Sequence, residues 1–181
     1  MVEPLPTRAA DCRRYNRRMK FSLTLALMAL LAACGSDPAD VAGEYSLSLT
    51  NRDNGCAFDN WTEGETASNI PITMTQSTED MTMATAIVGG AAGVYLDVLL
   101  GSRTYTGEVD GSSLLLTLFG ETSGIDGNCT FTVNSTIDAS LDGDVLSGEI
   151  RYEKATNGNP DCAPSEGCAS RQEFNGTRPP S

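Results

Sequence analysis

Beyond Gly43, apolar and polar side chains alternate over short runs, and no window of about 11 residues holds a helical period with caps. Successive side chains of a strand point to opposite faces, so a period of two describes ribbons with one dry side. The pattern predicts strands at 43–50, 70–76, 81–88, 94–100, 103–109, 112–119, 129–141, 144–152 and 171–176, separated by Gly-rich breaks.

Three short reversals set how these runs face one another. Gly101-Ser102 suits a type II′ turn, while Asp110-Gly111 and Asp142-Gly143 suit type I′ turns. Read as two-residue loops, they pair Val98 with Tyr105 and Leu96 with Gly107, then Tyr105 with Leu116 and Gly107 with Leu114, then Ala139 with Leu146 and Ile137 with Gly148. Val94, Leu96, Val98, Tyr105, Val109, Leu114, Leu116 and Leu118 then share one face, and Thr104, Thr106, Glu108 and Thr117 the other. Asn134, Thr136, Glu149, Arg151 and Glu153 likewise turn away from the apolar set of the last hairpin. A slip of one residue would reverse every side chain, so this agreement predicts an all-β, antiparallel up-and-down meander over residues 42–177.

The dry face must be covered. Closure into an eight- or nine-stranded barrel does so and removes the edges; a β-sandwich is the alternative. Val41-Ala42-Gly43-Glu44-Tyr45 opens the first strand and resembles the start of a lipocalin-like (calycin) barrel, whose family motif is Gly-x-Trp; Tyr45 stands where the motif has Trp. The resemblance covers three residues together with the size and strand number of the region, and it implies a shape and no particular ligand.

Charge divides the chain in two. Residues 1–33 carry six Lys/Arg against Glu3 and Asp11, whereas residues 34–181 carry six against 22, a net of −16. Behind Met19-Lys20 runs an apolar stretch from Phe21 to Ala33, too short to span a bilayer but suited to the core of a secretory signal. Leu31-Ala32-Ala33-Cys34 resembles the lipobox of bacterial lipoproteins, in which a small-residue tripeptide precedes an acylated cysteine. The resemblance implies that Cys34 becomes the first mature residue, carrying a thioether-linked diacylglycerol and an acylated amine. Gly35, rather than Asp, after that cysteine implies the outer membrane, facing the periplasm or the surface. The expected organisation is therefore a dispensable extension at 1–18 ahead of a start at Met19, a signal peptide at 19–33, a tether at 34–41, the barrel at 42–177 and a tail at 178–181.

With Cys12 in the discarded segment and Cys34 lipidated, Cys56, Cys129, Cys162 and Cys168 remain, an even number in an oxidising compartment. Two disulfides are expected among three connectivities. Cys162 and Cys168 enclose five residues, which favours Cys162–Cys168 with Cys56–Cys129 and a loop at 156–170 clasped on itself. A zinc site is disfavoured because CxxC pairs and histidines are lacking.

The chemistry is bounded by what the sequence lacks. It has no histidine, which removes Ser-His-Asp catalysis, and no Ser stands at SxxK spacing before Lys154, the only lysine after Cys34. Glu108 with Asp110, or Asp142 with Asp144, could form the carboxylate pair of a carbohydrate-active enzyme, but both read as solvated hairpin ends. Asn51-Arg52-Asp53-Asn54-Gly55 alternates oxygen ligands without EF-hand spacing. Net acidity argues against nucleic acid. Nine aromatics after Cys34 and short strands argue against a transmembrane barrel. Trp61, flanked by Asp59, Asn60, Glu63 and Glu65, is expected either to plug a barrel mouth, the favoured reading, or to serve as a contact residue. The sequence thus points to a lipid-anchored, non-catalytic binding or structural module without cofactor or metal. Its expected partners are the membrane, through the anchor, and a small apolar ligand or an envelope protein.

Overall fold

The computed structural model describes residues 37–179; the N-terminal extension, the signal segment and Cys34 lie outside the described residues, as do Pro180 and Ser181. Nine strands run β1 Gly43–Asn54, β2 Thr66–Gln76, β3 Met83–Val88, β4 Thr104–Asp110, β5 Ser113–Leu118, β6 Ser123–Asp126, β7 Cys129–Asp142, β8 Val145–Thr156 and β9 Ala169–Thr177. One helix, α1 at Gly90–Leu100, stands between β3 and β4.

Each strand except β6 pairs antiparallel with the one before it, β6 pairs only with β7, β9 pairs with β1, and β5 pairs with β7 past β6. The result is a closed, lipocalin-like eight-stranded barrel, not a sandwich. β7 holds two neighbours on one edge: β5 along Ser135 to Ser140, and β6 along Cys129 to Thr132. β6, which the pattern had not predicted, is therefore a flap outside the ring.

The dry face predicted from alternation is the barrel interior. Tyr105, Leu114, Leu116, Leu118, Val133, Ile137, Leu146 and Ile150 are all buried there, while Thr106, Glu108, Arg151 and Glu153 are exposed. Each fully enclosed Leu contributes roughly 1.5–3 kcal/mol relative to leaving it in water.

The structure corrects the expected registers in a consistent way. Val109 pairs with Leu114 and Gly107 with Leu116, and Ile137 pairs with Ile150, so both ladders lie two residues from the expected pairing. The two-residue loops are Gly111-Ser112 and Gly143-Asp144, with Gly111 at φ +56° and Gly143 at φ +61°; neither Ser112 nor Asp144 has positive φ. That is the II′ arrangement, which wants Gly at its first central position, rather than the I′ arrangement that places Asp there. Moving a loop by one residue shifts each pairing by two, and faces survive.

A second correction replaces the predicted strand 94–100 and its Gly101-Ser102 hairpin by α1. Val94 and Val98 are 58% and 73% exposed, whereas Gly93, Leu96 and Leu100 are buried, at helical spacings of three and four. Gly101, at φ +83°, is the left-handed cap whose N–H donates to the Asp97 carbonyl. β3 pairs directly with β4, Ala86 opposite Tyr105, so no rung is left for a further strand.

The two barrel ends differ. The tight loops 111–112 and 143–144 close one end. Across it lies the strap before β1: the Ala39 N–H donates to the Gly111 carbonyl (2.7 Å), and the Val41 N–H donates to Gln76 Oε1 (2.9 Å). Arg178 donates to the carbonyls of Asp40 and Ala42 and pairs with Asp144. The long connections 55–65, 89–103, 119–128 and 157–168 crown the opposite end.

Candidate ligand cavity

Under those connections the interior is not filled. A cavity of about 310 Å³ opens between the strands, α1 and the loop 55–65. Leu49, Ile72, Val88, Ile137 and Ile150 form its walls from the strands, and Tyr95, Leu96 and Leu99 its lid from α1. The volume lies in the range of small-molecule sites.

Loop 55–65 is pinned from below. Asn54 grips Phe58 twice, donating from Nδ2 to its carbonyl and accepting its N–H at Oδ1, both at 2.9 Å. Trp61 Nε1 donates to the Arg52 carbonyl at 2.8 Å. Phe58 and Trp61 then close on Tyr152, each at about 6 Å between ring centres and edge to face. Trp61 is thus half-buried at the mouth, the plug that its place in the sequence suggested.

The polar atoms of the cavity form a directed chain. Tyr152 OH donates to Gln172 Oε1 (2.9 Å), Gln172 Nε2 to Asn51 Oδ1 (2.7 Å), and Asn51 Nδ2 to the Thr62 carbonyl (3.2 Å). Deeper, the hydroxyls of Tyr105 and Ser135 share a hydrogen bond of 2.9 Å. Burial pushes the Tyr105 phenol up to about 12, against the opposing pull of its hydroxyl partners. Burial likewise raises Tyr152 well above the ordinary phenol value, and the neighbouring Tyr105 adds to it. Both phenols are therefore neutral at physiological pH, and the interior disfavours negative charge.

The four cysteines form two disulfides, but not in the expected pairing. Cys56 joins Cys168 and Cys129 joins Cys162, each with Cα atoms 4.9 Å apart. The ladders decide this. Asn54 faces Ser170 across β1 and β9, so two residues further on Cys56 meets Cys168, while the short 3-10 turn Pro160–Cys162 carries Cys162 to the first residue of β7. Loop 157–168 is accordingly clasped to its neighbours on both flanks instead of to itself.

The remaining candidates do not converge. Glu108 and Asp110 lie exposed on β4, and Asp142 and Asp144 lie at the closed end. Arg52 pairs with Glu173 and Asp53 with Arg171 on the outer face, while Asn51 lines the cavity, so the oxygens of 51–55 point to different sides. Among the described residues no group of three Asp, Glu or Cys is placed to hold a metal ion. The part of the site that alternation missed is the α1 lid. Its signal was the run Gly89-Gly90-Ala91-Ala92 ahead of leucines at 96, 99 and 100.

Comparison with protein-family models, with curated proteins and with solved structures finds no match to this chain.

Proposed function

We propose that this chain is a lipid-anchored lipoprotein of the bacterial envelope whose barrel is a non-catalytic binding module for a small apolar ligand. The observation that carries the binding role is the apolar cavity roofed by α1 and Trp61. A cavity lined by aliphatic and aromatic side chains gains stability by exchanging water or void for apolar surface, at roughly 25 cal/mol per Å². Its single carboxylate, Glu65, offers no second acid to work with as a pair.

The address rests on the lipobox-like Leu31-Ala32-Ala33-Cys34 and on disulfides suited to an oxidising compartment. Two measurements test the reading. A solvatochromic apolar dye should bind the soluble barrel saturably at one site, and a dye signal that rises without saturation contradicts the binding role. Cys34→Ala should move the protein out of the membrane fraction, and its retention there contradicts the anchor.

A further inference from the structure

We infer that the cavity selects cationic amphiphiles: molecules with an apolar chain for the barrel and an amine or quaternary ammonium head for the rim. This rests on the binding role above and names its ligand class.

Three observations carry it. Among the described residues the only carboxylate lining the cavity is that of Glu65, exposed at the rim, and no Lys or Arg lines the space. Among the described residues no guanidinium or ammonium pairs with the Glu65 carboxylate. Trp61, Tyr95 and Phe58 line the same cavity, aromatic faces of the kind that attract cations. Lys154 Nζ, 4.7 Å from the ring centre of Phe131 and 5.9 Å from that of Phe58, already takes the Phe58 face, which leaves Trp61, Tyr95 and Glu65 for a ligand head.

The field around the rim has the same sign. The four connections at this end, 55–65, 89–103, 119–128 and 157–168, hold eight carboxylates and one guanidinium, Arg103, which is itself paired with Asp97. A low-dielectric cleft edged by one sign of charge concentrates counter-ions. An anionic head would meet that field with no cation lining the cavity to receive it, and deeper in the barrel the Tyr152 hydroxyl is already donated to Gln172 and that of Tyr105 is bonded to Ser135.

Matched octyl probes test the inference: octyltrimethylammonium, 1-octanol and octanoate, titrated into the soluble barrel with Trp61, the only tryptophan of the chain, as reporter. Octyltrimethylammonium should bind at least about tenfold more tightly than octanoate at low salt, with octanol between them. Glu65→Gln should remove most of that preference, read as the ratio of the octyltrimethylammonium and octanoate affinities measured on the same variant. Raising the salt should narrow the preference. Equal affinities for the cation and the anion, or a preference that survives Glu65→Gln, overturns the charge selection and leaves the cavity reading standing. Failure of all three probes to bind overturns the cavity reading itself.

Discussion

Cys56 and Cys168 sit on the rung that continues the β1–β9 ladder beyond Asn54 and Ser170, so this disulfide locks the seam where the first and last strands close the barrel. The partner bond, Cys129–Cys162, ties the same loop to the start of β7. The loops they close span 112 and 33 residues, worth about 5 and about 4 kcal/mol in the chain-entropy model. Non-reducing peptide mapping should recover Cys56 linked to Cys168. The Cys56→Ser/Cys168→Ser double variant should lose more stability to denaturant than Cys129→Ser/Cys162→Ser; a Cys162–Cys168 peptide would contradict the pairing.

The helix reading of residues 90–100 separates two neighbours sharply. Leu100 is fully buried and its carbonyl accepts N–H bonds from Glu121 and Thr122, whereas Val98 is 73% exposed. Leu100→Ala should cost about 2–5 kcal/mol and Val98→Ser less than about 0.5 kcal/mol in urea unfolding. A strand at 94–100 would bury both side chains and make both substitutions costly.

Gly143 leads the β7–β8 loop at φ +61° with open space around it. Gly143→Ala therefore tests backbone conformation alone, and it should destabilise by about 1–2 kcal/mol. No change in the thermal midpoint would speak against the II′ turn.

Alkaline stability follows from the buried phenols. Tyr105 is raised to about 12 in the folded chain and titrates near 10 when unfolded. Its contribution is full below pH 10 and is lost as pH rises toward 12, an effect of about 3 kcal/mol, with Tyr152 acting in the same direction. Tyr105→Phe should flatten this loss in pH-dependent unfolding, although it leaves the Ser135 hydroxyl without its partner.

The face of each strand was legible because burial has a period of two, and this holds even where the loops were misplaced by one residue: Ile137 meets Ile150 instead of Gly148, yet all three face inward. Alternation alone could not identify α1. Val94, Leu96 and Val98 imitate a strand, and only the flanking glycines and the Leu96, Leu99, Leu100 spacing speak for a helix. β6 escaped because Ser-Gly-Ile-Asp offers a single apolar residue to any pattern. The disulfide pairing was not in the spacing, since ladder geometry and not loop length brings Cys56 to Cys168. The cavity could not be read either, because empty space depends on how side chains from nine distant segments fail to meet.

The hollow interior is tested most directly by filling it. Ala92 lines the cavity from α1, and Ala92→Trp would project an indole into the space a ligand needs. Calorimetric titration with 1-octanol should give one saturable site and a negative heat-capacity change in the parent barrel. The filled variant, matched to the parent by far-UV circular dichroism, should show no such site. Equal uptake by both proteins would contradict a ligand cavity beneath α1.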